Sequence, residues 1–111
     1  MDKGTSLSEQ SCESCQGGAM PLGPDEARVL MAQLKQGWVL NERGHLWRQY
    51  KDKDFMAALA LAQRVGELAE QQGHHPDLQL GWGYCAVEIW THKIDGLTES
   101  DFVLAAKIET L

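Results

Sequence analysis

The sequence has no surplus of basic residues and no basic cluster. Its 111 residues contain 10 Lys and Arg against 16 Asp and Glu, which gives a formal net charge of −6. An acidic chain without a basic patch is not suited to the phosphate backbone of DNA or RNA. We therefore expect no nucleic-acid partner.

Long hydrophobic runs are also missing. No stretch approaches the roughly 20 apolar residues that a membrane-spanning helix requires. The first segment is polar and lacks the apolar region of a signal peptide. These features predict a cytoplasmic protein without a membrane partner, and the length fits one domain with one hydrophobic core.

Cysteine is scarce, and its spacing does not suggest a disulfide framework, because Cys12, Cys15 and Cys85 form an odd and scattered set. Cys12-x-x-Cys15 has the spacing of metal ligands, but a structural zinc needs about four ligands and a second pair is missing. We expect two reduced thiols in a disordered or loosely packed tail over residues 1–20, followed by a domain over residues 21–111. Cys85 is expected to pack in a strand as a small hydrophobe.

Hydrophobic spacing and turn residues predict the order of the helices and strands. The predicted elements are a helix from Pro24 to Gly37, strands at 38–40 and 46–50, a helix over 54–72, two strands between 78 and 91, and a helix that begins at Thr98. This α-β-β-α-β-β-α order predicts an α+β two-layer domain, in which three helices cover one face of a four-stranded antiparallel sheet.

Two of the helices carry more specific signals. In the helix over 54–72, three- and four-residue spacing predicts a buried face of Phe55, Leu59, Ala62, Val65 and Ala69. In the last helix, Thr98 and Asp101 have the spacing of a capping box, in which an N-terminal hydroxyl and a carboxylate satisfy the first backbone N–H groups.

Three of the four histidines lie within 19 residues, at positions 74, 75 and 92, and the carboxylates of Glu70 and Asp101 flank them. Imidazole is the only side chain whose unperturbed pKa lies near neutrality, so this density suits proton transfer. His74 and His75 follow the long helix at its turn into the next strand, where functional residues often collect. His92 shares one face of the preceding strand with Trp90 and Glu88.

Each of these residues also has a purely structural interpretation. The histidine pair could favour a helix C-terminus, His92 could be a structural histidine, Asp101 could serve only as a cap, and Glu70 could be a solvated helix residue. A metal site is the functional rival, since imidazole binds zinc and iron. Adjacent histidines leaving a helix point in different directions, which favours proton transfer and no metal.

The joint spacing resembles the signature of the pterin-4a-carbinolamine dehydratase family. The residues that carry the resemblance are Glu70, His74-His75-Pro76-Asp77, Gly81-Trp82-Gly83-Tyr84, Trp90-Thr91-His92 and Gly96-Leu97-Thr98-Glu99-Ser100-Asp101-Phe102. The resemblance covers roughly residues 24–111, and the local sequences of these motifs are similar to those of bacterial members. Two positions depart from animal members: Gly73 stands where those carry Asn or Asp, and Trp90 replaces a small hydroxyl residue of the pterin pocket.

The resemblance implies an enzyme that dehydrates 4a-hydroxytetrahydropterin to quinonoid dihydropterin, in the recycling of tetrahydropterin for an aromatic amino-acid hydroxylase. By analogy, His74 and His92 are general acids and His75 holds the ring. Glu70 and Asp101 orient the histidines or bind the pterin, and Pro76, Trp90 and Thr91 belong to the substrate site. No metal or organic cofactor is implied, because the pterin is itself the substrate.

The same resemblance implies partners. Members of the family pair sheet edges into a continuous eight-stranded sheet, so we expect a homodimer, with a tetramer possible through the helix over 54–72. Direct contact with phenylalanine hydroxylase is a further expectation. The alternative from another functional class is a non-catalytic dimerisation partner, since animal relatives also serve a homeodomain transcription factor.

Overall fold

The computed structural model describes residues 7–9 and 21–111. Its helices are α1 (Pro24–Met31), α2 (Phe55–Gln72) and α3 (Glu99–Ile108), and its strands are β1 (Val39–Leu40), β2 (Leu46–Lys51), β3 (Asp77–Gly81) and β4 (Tyr84–Ile89). Short 3-10 turns occupy Leu7–Glu9 and His92–Ile94. The α-β-β-α-β-β-α order and the α+β class confirm the prediction.

The four strands form one antiparallel sheet in the order β1-β2-β4-β3. Gly44 and Gly83, with φ of 77° and 80°, supply the positive φ that the two hairpin turns require. The hairpins lie side by side because β2 pairs with β4, from Leu46 opposite Ile89 to Lys51 opposite Tyr84. The sheet therefore has two edges, β1 with two residues and β3 with five.

One face of the sheet packs against the helices. Strand alternation directs Leu46, Val87 and Ile89 into a core that also contains residues of all three helices. Cys85 is buried on the same face against Ala58 and Ala62, as expected for a small hydrophobe. The opposite face carries Trp47, Gln49 and Gln79, of which both glutamines are exposed.

The buried face of α2 differs from the prediction. The buried residues are Ala58, Ala62, Val65 and Ala69, whereas Phe55 and Leu59 are 43% and 40% exposed. The helix contains two apolar rows, and the row of small residues lets its backbone approach the sheet closely. The row with the larger side chains, Phe55 and Leu59, therefore stays at the surface.

Helix α1 ends at Met31, six residues before the predicted end at Gly37. The chain leaves the helix through successive turns, and the backbone N–H of Lys35 donates to Oε2 of Glu109 at 2.7 Å. A side chain beyond α3 thus takes the N–H that a longer helix would have used. Periodicity within the helix cannot report such a distant acceptor.

Part of the predicted tail is packed on the domain. Leu7 is buried in the core, and the ammonium of Lys107 donates to the backbone oxygen of Ser8 at 2.9 Å. The three residues Leu7–Glu9 thus depart from the expected loose tail. The remaining predicted tail, including Cys12 and Cys15, lies outside the described residues.

Within residues 7–9 and 21–111, no helix combines the length and the apolar character needed to cross a bilayer.

Candidate active site

An open pocket of about 200 Å³ lies where the end of α2 meets the end of β4. Its lining consists of Gly73, His74, His75, Trp90, Thr91, His92 and Lys93. All three clustered histidines are therefore brought together, although they come from two separate connections. Lys93 also lines the pocket, although it was not among the predicted site residues.

His74 is the most deeply set of these histidines, with only 6% of its surface exposed. Its Nε2 lies 2.6 Å from Oδ1 of Asp101, which is fully buried at the start of α3. A carboxylate can only accept, so Nε2 of His74 carries the hydrogen. No hydrogen bond among the described residues involves Nδ1 of His74, which leaves that nitrogen for a ligand in the pocket.

The second oxygen of Asp101 is also fully engaged. Its Oδ2 accepts from the hydroxyl of Thr91 and from the backbone N–H of Thr98, both at 2.8 Å. Because the Thr91 hydroxyl gives its only hydrogen to Asp101, the Thr98 hydroxyl donates to Thr91 at 3.0 Å. Asp101 therefore serves the predicted capping box of α3 and the pocket at once.

A left-handed residue directs the two adjacent histidines to different places. Gly73 ends α2 with φ of 66°, and its N–H bonds the carbonyls of Ala69 and Glu70. The backbone N–H of His74 then returns to the carbonyl of Ala69 at 3.2 Å. This turn places the His74 ring under the helix end, whereas the His75 ring stays in solvent.

His75 forms a looser pair than His74. Its Nε2 lies 2.9 Å from Oε1 of Glu70, with 59% and 81% of the two side chains exposed. Water competes for both groups of such a pair, so the contact orients His75 weakly. Glu70 touches His75 and does not line the pocket.

Trp90 and His92 form one wall of the pocket, and their rings are 4.4 Å apart and tilted by 46°. His92 begins the 3-10 turn directly after Thr91, whose backbone pairs with Gly96 to close a small loop. The alternation predicted for this segment is present, with Thr91 buried toward Asp101 and His92 exposed. Of the predicted site residues, Glu70, Pro76 and Asp101 do not line the pocket.

The fourth histidine lies behind this wall and was not among the predicted site residues. His45 is 1% exposed and stacks on Trp90, with the ring centroids 4.3 Å apart. Its position was hidden because it lies 29 residues before His74 in the sequence. The β2–β4 register is the signal that finds it, since Leu46 pairs with Ile89 and so sets His45 beside Trp90.

Glu88 contacts Nδ1 at the edge of the His45 ring, with its Oε2 at 2.8 Å. Burial alone would raise the pKa of this carboxyl, but hydrogen bonds from His45 and Asn41 and the charge of Arg43 outweigh it. The pKa of Glu88 is therefore lower than the ordinary value, and the group is a carboxylate at neutral pH. Across residues 7–9 and 21–111, no three His, Cys, Asp or Glu side chains cluster so as to hold a metal ion.

Comparison with known sequences decides the family. The family described as Pterin 4 alpha carbinolamine dehydratase matches residues 20–111 of this chain. The chain belongs to that family. Its relatives include a protein of Rickettsia bellii that carries the name pterin-4-alpha-carbinolamine dehydratase, 55% identical over 96% of this chain and 94% of the relative. A relative of the same name from Rubrobacter xylanophilus is 50% identical over 95% of this chain and 97% of the relative.

A solved structure of the pterin dehydratase type agrees with the fold. A transcriptional coactivator/pterin dehydratase from Brucella melitensis superposes with a TM-score of 0.75 and 28% identity, over 82% of this chain and 97% of that one. A pterin dehydratase-like RuBisCO assembly factor of the alpha-carboxysome shares the fold alone, with a TM-score of 0.56 and 17% identity over 68% and 88% of the two chains.

Proposed function

We propose that the protein dehydrates 4a-hydroxytetrahydropterin to quinonoid dihydropterin and water in the pocket of His74 and His92. Membership of the family and the names of its relatives support the reaction. The observation that carries the mechanism is the contact of 2.6 Å between His74 and the fully buried Asp101. A buried carboxylate stabilises an imidazolium, which is the form that can donate a proton.

The reaction needs two proton transfers. The hydroxyl leaves C4a as water when an acid gives it a proton, while the N5 lone pair forms the C=N bond. N5 must then lose its own proton to a base, which restores the charge. Imidazole near neutral pH supplies both the acid and the base, so no cofactor is required.

The residues have distinct parts in this proposal. His74 donates from Nδ1 while Asp101 keeps Nε2 protonated and the ring oriented. His92, which enters the pocket from the connection after β4, is the second donor. His75 holds the pterin ring, and Glu70 orients His75 through the contact of 2.9 Å.

The physiological setting that we propose is the recycling of tetrahydropterin after an aromatic amino-acid hydroxylase has turned over. The 4a-hydroxy compound is the form in which such a hydroxylase releases its pterin. Phenylalanine hydroxylase is then the protein that this enzyme would serve, through shared substrate or by direct contact.

We also propose that the enzyme is a homodimer in which two copies of edge strand β3 continue the sheet. This edge has five residues, and Leu78 on it is 36% exposed. An unpaired edge of this length offers a ladder of N–H and C=O groups to a second copy. The exposed Phe55 and Leu59 of α2 would allow a tetramer, and a sedimentation-velocity run showing only monomer at micromolar concentration would contradict both.

The experiment that tests the activity is a stopped-flow assay of chemically generated 4a-carbinolamine, with and without the protein. We expect faster loss of the substrate with wild-type protein. His74→Gln is the matched control, because its amide still donates to Asp101 but cannot deliver a proton. Equal rates of 4a-carbinolamine loss with and without the protein would overturn the proposed activity. Pterin binding without acceleration of that loss would favour a binding protein instead.

A further inference from the structure

His45 lies between two carboxylates. Its Nδ1 is 2.8 Å from Oε2 of Glu88, and its Nε2 is 3.0 Å from Oδ1 of Asp95. A neutral imidazole has one N–H donor, and its second nitrogen is an acceptor that would face a carboxylate unfavourably. Both contacts are favourable together only when both ring nitrogens carry hydrogen, that is, when His45 is an imidazolium.

The charges around His45 agree with that state. The carboxylates are Glu88 on β4 and Asp95 after the 3-10 turn, and the only Lys or Arg side chain that contacts them within the described residues is Arg43, whose Nη1 is 3.5 Å from Glu88. Asn41 adds a neutral donor to Glu88 at 2.8 Å. Two negative charges thus face one guanidinium, and a protonated His45 completes the balance.

Asp95 adopts a costly backbone conformation at this contact. It is the only non-glycine residue among those described with positive φ, at 47°. A left-handed conformation is disfavoured for residues with a Cβ, although Asp tolerates it better than most. The loop nevertheless holds Asp95 there, with its carboxylate on Nε2 of His45. The Asp95 side chain is 84% exposed, so water weakens this contact, and the pair with Glu88, which is 19% exposed, is the stronger of the two.

The anchored ring supports the pocket wall. His45 is parallel to the Trp90 indole, with an angle of 4° between the planes and 4.3 Å between the centroids. The indole in turn contacts His92. A cation over an indole face is attracted by the ring electrons, so the charge of His45 strengthens the stack.

We propose that His45 is a positioning residue: as an imidazolium clamped by Glu88 and Asp95, it fixes the Trp90 indole as the pocket wall against which the pterin and His92 are placed. This inference rests on the proposed function for the identity of the ligand. The clamp itself is a property of the folded chain and is tested without any ligand.

The first test is the protonation state. Long-range ¹H–¹⁵N NMR on protein labelled at histidine distinguishes an imidazolium, with two protonated nitrogens, from a neutral ring. His45→Phe, which keeps a flat ring and removes both N–H groups, assigns the signal. We expect two protonated nitrogens at pH 7, and one protonated and one bare nitrogen would overturn the proposal.

The second test asks whether His45 acts through Trp90. Dissociation constants for 7,8-dihydrobiopterin, together with KM and kcat, are measured for wild type, His45→Phe, Trp90→Phe and the double variant. We expect His45→Phe to weaken pterin binding by about 2- to 30-fold, the change corresponding to one cation–π contact, and to raise KM more than it lowers kcat. In the Trp90→Phe background the same substitution should have little further effect, because its target is gone.

Additive losses in the double variant would overturn the role through Trp90. If His45→Phe does not fold, Asp95→Asn replaces it, since Asn tolerates the left-handed conformation and removes one charge from an exposed side chain. Asp95→Asn alone should weaken pterin binding, whereas adding it to Trp90→Phe should cause no further loss. If the wild-type protein binds no pterin, the proposed function fails. The contact between His45 and Trp90 is then tested by the indole NMR signals of Trp90 in His45→Phe, and signals unchanged from wild type would contradict the clamp.

Discussion

His74 and His75 are neighbours in the chain, yet their surroundings differ in almost every respect. Each ring donates to a carboxylate, at 2.6 Å in one case and 2.9 Å in the other. Asp101, the partner of His74, is fully buried, whereas Glu70, the partner of His75, is 81% exposed. Two nearly identical contacts therefore lie in media of very different polarity.

Spacing in the sequence therefore does not tell which of the two histidines has a buried carboxylate as its partner. A charge pair in water gains little, because the solvent screens both partners. The same pair inside the protein interacts strongly, because little water is present to screen it. The two histidines differ because His74 contacts Asp101 in α3, which lies 27 residues further along the chain, and His75 does not.

The largest effect is expected from Asp101→Asn. An amide can satisfy His74 or the Thr91 and Thr98 donors, but its own N–H₂ then faces a donor on the other side. We expect the free energy of unfolding to fall by about 1–3 kcal/mol for the unpaired group, and the part of the catalysed rate that depends on His74 to fall by up to about 100- to 10,000-fold. Urea unfolding and the stopped-flow assay measure the two effects.

Glu70→Gln is the matched control, since it makes the same change from carboxylate to amide beside the exposed histidine. Its unfolding free energy should stay close to that of wild type. Equal losses in the two variants would remove the distinction between the buried and the exposed pair.

The next effect concerns the two proposed donors, which reach the pocket from different connections. If His74 and His92 approach opposite faces of the pterin ring, each hydroxyl epimer of the substrate depends mainly on one of them. We expect His74→Gln and His92→Ala each to slow one epimer by about 100- to 10,000-fold and the other much less. Rates for both epimers at several pH values test this, and a folded double variant with full activity would refute proton transfer by these residues.

A smaller effect is expected at Glu88, whose pair with His45 is intermediate in exposure. Its lowered pKa keeps it ionised in the folded state at pH values where the unfolded chain has begun to bind a proton. It therefore stabilises the fold fully above the ordinary glutamate pKa of about 4.3, and this contribution is lost as the pH falls through the lowered value. Glu88→Gln should flatten the acid side of the stability profile.

Urea unfolding between neutral and acid pH measures that slope. Glu42→Gln removes a carboxylate from the exposed part of the turn before His45, so it controls for net charge. A profile for Glu88→Gln as steep as that of wild type would mean that other carboxyls account for acid unfolding.

The smallest effect is expected from His75→Ala. The exposed pair with Glu70 contributes about 1 kcal/mol or less to stability. Loss of a contact made equally with substrate and transition state raises KM and leaves kcat nearly unchanged. Steady-state kinetics separate the two constants, and a fall in kcat as large as that of His74→Gln would make the exposed histidine an equal participant.

The sequence predicted the elements whose signals are local. Gly73, Gly44 and Gly83 mark turns that need positive φ, and the Thr98–Asp101 capping box is present. The three clustered histidines do meet in one pocket. For the turns and the cap, neighbours in the chain supply the determining interaction, whereas the meeting of His92 with His74 and His75 was expected from the spacing of the family signature.

What the sequence could not predict depends on distant contacts. Periodicity did not separate the two apolar rows of α2, because only packing against the sheet selects the small residues. The end of α1 depends on Glu109, and the support behind Trp90 depends on the pairing of β2 with β4. The burial of Asp101 likewise follows from docking of α3, which no local pattern reports.

The double use of Asp101 has a consequence for synthesis of the protein. A chain still on the ribosome, or one cut short before Thr98, already contains all four histidines but not the carboxylate that holds His74. That carboxylate reaches its place only when the last helix has started and packed. Under the proposed mechanism, proton transfer by His74 therefore requires the last helix, and a fragment that ends before Thr98 is expected to be inactive although it contains every histidine.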